Sequence, residues 1–208
     1  MKINKGLYFI TNSDQYEEQE FLSRVEQVCK EGISLLQVRE KNMSDDKLYD
    51  MSRKVKSIAD KYGIDLIIDD RVEVAKKLAV GVHLGVDDMS IKEARSILGP
   101  DAIVGATAKT VERAKQAYEE GASYLGTGAI YPTTTHVKTR ITSVETVKEI
   151  VKSVPIPVFA LGGLREDNLS VLKDTGIHGI CIVSRIMNAE YPGDMTKKVK
   201  EAMKEIDL

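Results

Sequence analysis

The sequence predicts a single (β/α)8 barrel that spans residues 1–208. Short apolar, β-branched runs alternate with segments of helical spacing along the chain, and eight such pairs follow one another. Eight strand–helix units in 208 residues match a compact barrel near the lower size limit of that fold. An open doubly wound sheet is the alternative, but it seldom needs eight such regular repeats. No linker or low-complexity tract divides the sequence, so we expect one domain.

The eight predicted strands are short runs of aliphatic and small residues. In chain order they span 7–11, 34–39, 65–69, 81–84, 102–106, 123–126, 157–161 and 179–183. A segment of helical spacing follows each strand, most clearly over 17–31, 44–62 and 111–121. Glycines that can take a positive φ at a helix end stand just before strands, at Gly32, Gly63, Gly121 and Gly176. Ser44 and Ser143 are predicted N-caps.

The composition is that of an ordinary globular protein, with 42% hydrophobic and 30% charged residues. A net charge of −2 excludes the broad basic surface that nucleic-acid binding usually needs, so local cations must hold any anionic ligand. No apolar run is long enough to span a membrane, and the N-terminal residues lack a signal-peptide pattern. Cys29 and Cys181 lie far apart without metal-binding spacing, which predicts buried, reduced thiols and a cytoplasmic location.

Polar side chains follow the predicted strands at their carboxyl ends, where (β/α)8 barrels place their chemistry. Alternation after strand two puts Gln37, Arg39 and Lys41 on one side, and the two cations together with a nearby metal can neutralise a diphosphate. Asp70 and Asp88 follow neighbouring strands, and hard oxygen ligands of this kind suit Mg²⁺. Taken alone, an Asp-Asp pair is more often a surface turn, and the two cations could be exposed charges. Their shared position favours a magnesium and diphosphate site.

The segment 126–140, GTGAIYPTTTHVKTR, follows strand six and combines two glycines with hydroxyls and positive or titratable groups. These groups are Thr133, Thr134, Thr135, His136, Lys138 and Arg140. They suit a phosphorylated substrate, although a solvated Thr-rich loop explains the segment equally well on its own. Gly162, Gly163 and Ser184 follow strands seven and eight, where barrels often bind phosphate through backbone N–H groups. His83, considered by itself, is more readily explained as a hydrogen-bonded core histidine than as a catalytic one. The coincidence of these groups at one face predicts an enzyme that acts on phosphorylated substrates.

Seven short motifs run along the chain in order. They are LYFIT (7–11), QVREK (37–41), IIDDRVEVA (67–75), GVHLGVDD (81–88), GTGAIYPTTT (126–135), FALGGL (159–164) and IVS (182–184). With these motifs the chain resembles the thiamine phosphate synthase family over essentially its whole length. The resemblance implies a transferase that joins 4-amino-2-methyl-5-hydroxymethylpyrimidine diphosphate to a thiazole phosphate or its carboxylate, giving thiamine phosphate and pyrophosphate. It also implies Mg²⁺ and a dissociative step, which needs charge stabilisation of the leaving group more than a general base.

The resemblance also implies roles for individual residues. The catalytic groups would be Arg39, Lys41, Thr107 and His136. Substrate contacts would come from Gln37, Arg39, Glu40, Lys41, Asp69, Thr107, Thr133, Thr134, Thr135, His136, Gly163, Val183 and Ser184. The residues at 37, 39 and 41 would meet the pyrimidine diphosphate, and those at 133, 135, 163, 183 and 184 would hold the thiazole phosphate. Asp70 and Asp88 would hold Mg²⁺.

Some positions depart from the family pattern. Asp69 stands where the family usually has asparagine, and a third carboxylate beside a pyrophosphate is unfavourable unless it is protonated or turned to Mg²⁺ or Arg71. His136 replaces the lysine that usually follows the threonines, so its positive charge is weaker and depends on pH. Thr107 replaces a serine but keeps the hydroxyl, and Asn12 replaces an aspartate with less consequence.

Two alternatives stay open at this point. A thiazole tautomerase on the same barrel binds no diphosphate; the missing lysine favours it, whereas the cation pair and the two metal-site aspartates oppose it. A non-catalytic phosphate-ligand binder or sensor would follow if Asp69 and His136 abolished activity. As partners we expect small-molecule pyrimidine and thiazole phosphates, without nucleic acid or a membrane, and the sequence is compatible with a homo-oligomer.

Overall fold

The structure, a computed structural model, describes residues 3–133 and 141–208. Its eight parallel strands close into a barrel, because the eighth strand pairs with the first as well as with the seventh. The strands are β1 (Gly6–Ile10), β2 (Leu35–Val38), β3 (Asp65–Asp69), β4 (Gly81–Leu84), β5 (Val104–Thr107), β6 (Tyr124–Gly128), β7 (Val158–Leu161) and β8 (Gly179–Ile182). Their carboxyl ends therefore meet at one face, and the predicted (β/α)8 barrel is confirmed.

Helices surround the barrel; the first six connect successive strands, and the last two follow β8. They are α1 (Glu18–Lys30), α2 (Asp45–Lys61), α3 (Val72–Leu78), α4 (Ile91–Leu98), α5 (Val111–Glu119), α6 (Val144–Ser153), α7 (Ser184–Met187) and α8 (Pro192–Lys204). The described part of the chain contains no helix that is long and apolar enough to cross a membrane.

The connection between β7 and β8 differs from the prediction of a helical segment after every strand. It carries only a short 3-10 helix, Leu169–Leu172. Asn168 competes with helix formation here, because its side chain accepts from Arg165 N at 2.8 Å and donates to Gly163 O at 3.0 Å. Asp174 then takes a positive φ of 58°, which ends the segment before the next strand.

The predicted helix stops are confirmed, and one of the two predicted caps is not. Gly32, Gly63, Gly121 and Gly176 all have φ between 66° and 97°. Ser143 caps α6, since its side chain accepts from Thr146 N at 3.1 Å. Ser44 stands at the N-cap position of α2, but its side chain makes no capping hydrogen bond.

Successive residues of each strand alternate between two apolar layers. In β3, Ile67 lies in the inner layer, inside the barrel, while Leu66 and Ile68 pack in the larger outer layer between strands and helices. Cys29 is buried in the outer layer and Cys181 in the inner one, and both are free thiols as predicted.

Aromatic rings fill the barrel interior, and glycine provides the space for them. The rings of Tyr8, Tyr124 and Phe159 pack edge to face, with centroids 5.5 to 5.7 Å apart. The ring of Tyr124 covers Gly105 so closely that a Cβ at that position would lie 2.1 Å from Tyr124 Cζ. Gly105 therefore lets β5 pass beside a large ring in the interior.

Candidate active site

A cavity of about 900 Å³ opens at the carboxyl ends of the strands. Every strand or the loop after it contributes to the lining, so the cavity depends on closure of the whole barrel. The lining includes the predicted site residues Gln37, Arg39, Lys41, Asp69, Asp88, Thr107, Thr133, Gly163, Val183 and Ser184. The predicted groups Thr134, Thr135, His136, Lys138 and Arg140 lie outside the described residues.

Lys41 lies between two carboxylates at one side of this cavity. Its Nζ is 2.5 Å from Asp70 Oδ2 and 2.8 Å from Asp69 Oδ2, and Arg39 Nε is 3.5 Å from the same Asp69 oxygen. Burial alone would lower the pKa of Lys41, but its hydrogen bonds to the two carboxylates and their charges raise it. Lys41 is therefore a fixed cation. Asp69 turns to Lys41 and Arg39, a pairing that was not among the expected alternatives, and Arg71 Nε lies 3.5 Å from Asp70 Oδ1 instead.

Asp70 and Asp88 follow neighbouring strands, as predicted. Asp70 takes a left-handed φ of 54°, and its N–H donates to His83 O at 2.9 Å, which ties the end of β3 to β4. Asp88 Oδ2 accepts from Gly85 N at 2.6 Å, which folds the loop after β4 back on itself. Within 3–133 and 141–208, no group of three or more His, Cys, Asp or Glu side chains is placed to hold a metal. Two carboxylates without a protein cage fit Mg²⁺, which keeps waters and takes phosphate oxygens.

Glu40 does not face the cavity, although the sequence suggested a substrate contact. Thr11 Oγ1 donates to its Oε1 at 2.8 Å, and Ser13 donates to its Oε2 from N at 3.0 Å and from Oγ at 2.7 Å. The side chain is buried, and these bonds occupy both carboxylate oxygens. Thr11 Oγ1 also accepts from Arg39 N at 3.3 Å. Glu40 thus fastens the loop after β1 to the strand end that carries the cations.

A hydrogen-bonded row of side chains crosses the barrel interior, and all of its members except Tyr124 line the cavity; we call it the interior relay. It consists of Gln37, Tyr8, Tyr124, His83 and Thr107, joined in that order. Gln37 Nε2 donates to Tyr8 Oη at 2.5 Å, and the two tyrosine hydroxyls are 2.6 Å apart. Tyr124 Oη is 3.0 Å from His83 Nδ1, and His83 Nε2 is 3.0 Å from Thr107 Oγ1. Burial lowers the pKa of His83 and raises those of both tyrosines, so all three stay neutral.

The opposite side of the cavity is built from the loops after β6, β7 and β8. Gly162 and Gly163 have φ of 94° and 66°, and they pack closely against the loop after β6. A Cβ on Gly163 would lie 2.7 Å from Tyr131 Cβ and 2.8 Å from Pro132 O. This close packing brings Gly163 next to the segment that leads into Thr133. The phosphate pocket expected at these loops stays a prediction.

Several lining residues were missed by the sequence interpretation. Lys109, Arg165 and Arg185 add cations to the cavity wall. Lys109 and Arg165 each lie two positions beyond a predicted site residue, so the alternation that selected Gln37 and Arg39 could have found them. Arg185 makes a two-bond contact with the Glu166 carboxylate, a tertiary contact for which the sequence carried no signal.

The carboxyl face of this closed (β/α)8 barrel carries paired cations, paired carboxylates and a glycine-lined pocket. These features are typical of an enzyme that acts on phosphorylated small molecules. The profile of the thiamine monophosphate synthase family matches residues 7–186. The chain belongs to this family, whose named synthases are transferases.

Relatives of known name support this assignment over nearly the full length. The chain is 44% identical to "Thiamine-phosphate synthase 2" of Streptococcus pneumoniae, covering 96% of this chain and 94% of that one. It is 43% identical to "Thiamine-phosphate synthase" of Enterococcus faecalis, covering 98% and 95%. Among solved structures, thiamine phosphate pyrophosphorylase from Pyrococcus furiosus superimposes with a TM-score of 0.87 at 33% identity, covering 97% and 96%.

Proposed function

We propose that this protein is a thiamine-phosphate synthase. It joins 4-amino-2-methyl-5-hydroxymethylpyrimidine diphosphate to a thiazole phosphate and releases thiamine phosphate and pyrophosphate. The observation that carries the proposal is the cluster of Arg39, Lys41 and Asp69, which line the cavity together with Asp88. Asp70 joins this cluster through its ion pair with Lys41. Cations and carboxylates in this combination suit a magnesium-bound diphosphate better than a phosphate monoester alone.

The reaction breaks the bond between the pyrimidine methylene carbon and the diphosphate oxygen. The electron pair leaves with pyrophosphate, and the thiazole nitrogen then donates its pair to the methylene carbon. No proton has to be removed for the carbon–nitrogen bond to form. Charge stabilisation of the leaving group is therefore the main requirement. Arg39 offers a planar fork and Lys41 a point charge for this purpose, and Thr107 offers a hydroxyl.

Asp70 and Asp88 are the residues that would hold Mg²⁺. When bound, the ion would neutralise part of the charge that develops on the departing pyrophosphate. In the structure the ammonium of Lys41 pairs with the carboxylates of both Asp69 and Asp70. When diphosphate and metal bind, these ion pairs would separate. The carboxylates would then face the metal, and the ammonium would face phosphate oxygens. The same side chains therefore serve both the ligand-free and the loaded site.

The thiazole phosphate would occupy the opposite side of the cavity. Backbone N–H groups around Gly163, Val183 and Ser184, together with the hydroxyl of Thr133, are the donors assigned to it. The family resemblance assigns Thr134, Thr135 and His136 to the same substrates, and these assignments stay predictions. Placing the two phosphorylated substrates at opposite sides leaves their reacting ends toward the centre of the cavity.

A coupling assay tests the proposal and separates it from the two alternatives. Purified protein, Mg²⁺ and both substrates should yield thiamine phosphate and pyrophosphate. A tautomerase would instead isomerise the thiazole phosphate carboxylate without any pyrimidine substrate. Substrate binding without any product would indicate a binder or sensor. The cation and carboxylate cluster favours the synthase, because a tautomerase has no diphosphate to neutralise.

A matched pair of lysine variants sharpens the assay. Lys41→Met removes the ammonium between Asp69 and Asp70 and should lower kcat/KM by about 100-fold or more. Lys54→Met breaks an ion pair of the same 2.5 Å length, to Glu18 on the outer helices, and should leave kcat/KM unchanged. Equal activity of the two variants would contradict the role assigned to Lys41.

We further infer the partners that this function requires. They are the two small-molecule substrates, which enter the cavity from the open face of the barrel. The cytoplasmic location and the lack of nucleic-acid binding stay predictions from composition, and the sequence is compatible with a homo-oligomer. Size-exclusion chromatography with light scattering measures the oligomeric state directly.

A further inference from the structure

The interior relay contains three residues to which the reaction as described assigns no role: Tyr8, Tyr124 and His83. Along the relay they lie between Gln37 and Thr107, and Tyr8 and His83 line the cavity together with those two residues. Tyr124 itself is fully buried. Within the described residues, the two tyrosine hydroxyls have hydrogen bonds only to members of the relay. The relay is therefore a continuous chain of donors and acceptors that begins at Gln37 and ends at Thr107.

The direction of each hydrogen bond in the relay follows from the number of protons available. Tyr8 Oη accepts from Gln37 Nε2, so its single proton goes to Tyr124 Oη. Tyr124 then gives its own proton to His83 Nδ1. A neutral imidazole that accepts at Nδ1 carries its proton on Nε2, and this N–H donates to Thr107 Oγ1. One donor direction thus runs from end to end.

This direction decides what the two ends present to a ligand. Because one N–H of the Gln37 amide donates within the relay, the carbonyl oxygen is the acceptor that this side chain offers to the cavity. Because Thr107 accepts from His83, its own proton remains available for donation. In the reversed chain Thr107 would give its proton to His83 and turn lone pairs toward an anion, which is unfavourable. Gln37 would then present its NH₂ group instead.

We propose that the interior relay acts as one polarised unit that recognises the pyrimidine diphosphate at both ends, the pyrimidine through Gln37 and the diphosphate through Thr107. An anion beside Thr107 requires a hydroxyl donor and so selects the direction described above. That direction makes Gln37 an acceptor, which matches the exocyclic 4-amino group of the pyrimidine. Tyr8, Tyr124 and His83 are accordingly positioning residues that act through Gln37 and Thr107. The inference rests on the proposed function and extends it to the choice between amino- and oxo-pyrimidines.

Tyr124→Phe is the variant that interrupts the relay. It removes the central hydroxyl, while the ring keeps its packing against Tyr8 and Phe159 at 5.6 and 5.7 Å. We expect KM for the pyrimidine diphosphate to rise about tenfold, with KM for the thiazole phosphate unchanged. Discrimination against the 4-oxo analogue of the pyrimidine diphosphate should also fall, because Gln37 can now rotate its amide.

Two controls separate the relay from a general loss of structure. Tyr62→Phe also deletes a tyrosine hydroxyl, but one that donates to Glu26 on the outer helices at 3.2 Å. Phe159→Leu perturbs the same interior ring cluster without removing a hydroxyl. Neither control should alter the preference for the amino over the oxo substrate. An unchanged preference and unchanged KM in Tyr124→Phe would overturn the proposal.

The tautomer of His83 gives a second readout that does not depend on turnover. In protein labelled with ¹⁵N-histidine and saturated with inorganic pyrophosphate and Mg²⁺, His83 should show a protonated Nε2 and a bare Nδ1. In Tyr124→Phe a population protonated at Nδ1 should appear. A protonated Nδ1 in the wild-type protein would overturn the proposal. If the coupling assay yields no thiamine phosphate, the proposed function fails, whereas this measurement still decides the direction of the relay.

Discussion

Replacing Asp69 by asparagine should tighten the binding of pyrophosphate. Asp69 Oδ2 lies 2.8 Å from Lys41 Nζ and 3.5 Å from Arg39 Nε, and its side chain is only 10% exposed. The carboxylate therefore competes with an incoming anion for both cations and places a like charge beside it. An amide of the same shape removes that charge. Lys41 keeps its 2.5 Å hydrogen bond to Asp70, so the ammonium stays at the site.

The size of the effect follows from the ion-pair geometry. Unit charges 2.8 Å apart attract by about 1.5 kcal/mol in bulk water and about 6 kcal/mol at an effective dielectric constant of about 20. The side chain of Lys41 is 41% exposed, so solvent screens the pair and the lower value applies. A gain of about 1–2 kcal/mol corresponds to a dissociation constant that is about 5- to 30-fold lower.

Isothermal titration of inorganic pyrophosphate in the presence of Mg²⁺ measures this change. Asp65→Asn is the matched control, because Asp65 begins the same strand that Asp69 ends and lies at the other end of the barrel. The control should bind pyrophosphate as the wild-type protein does. The gain in Asp69→Asn should shrink as ionic strength rises. Affinity that is unchanged or weaker in Asp69→Asn would refute the competition argument.

Three further predictions concern the core, the metal and the threonine segment. Gly105→Ala should lower the free energy of unfolding in urea by about 1–3 kcal/mol, because its Cβ would lie 2.1 Å from Tyr124 Cζ. Gly193→Ala, where a Cβ meets atoms no nearer than 3.4 Å, should change it by less than about 0.5 kcal/mol, and equal losses would contradict the packing argument. Asp70→Asn should raise the Mg²⁺ concentration needed for half-maximal activity, and an unchanged requirement would exclude its role as a ligand. His136, assigned from sequence alone, should make the rate fall as pH rises through the histidine range; His136→Lys should flatten that fall, and a flat wild-type profile would count against the role.

The strands were the most predictable part of the fold. β3 and β4 begin and end at the predicted residues, since alternating or continuous apolar runs are a local property of the chain. β6 extends to Gly128, two residues beyond the prediction, because its backbone pairs with Leu161 of β7. Sequence patterns do not contain that pairing. The missing helix between β7 and β8 has a similar origin, in hydrogen bonds that the Asn168 side chain makes with the backbone.

The candidate site was predictable as a set of residue types at strand ends, and less so as a set of contacts. Gln37 and Thr107 line the cavity as expected, because side chains two positions apart share a face of a strand. Glu40, although between two cavity cations in sequence, turns instead to Thr11 and Ser13. Its orientation depends on a loop that only the folded barrel brings near.

The sequence by itself determined the barrel, the face that carries the chemistry and the family, because periodicity and motif spacing are local and survive without knowledge of contacts. Only the tertiary structure decided which polar groups pair. Tyr8 and Tyr124 are 116 positions apart, yet their hydroxyls lie 2.6 Å from each other once the barrel closes. Lys41 likewise meets Asp69 and Asp70 only when β2 and β3 pair. Hydrogen bonds and ion pairs of this kind act over a few ångströms, so distance in space rather than distance along the chain selects them.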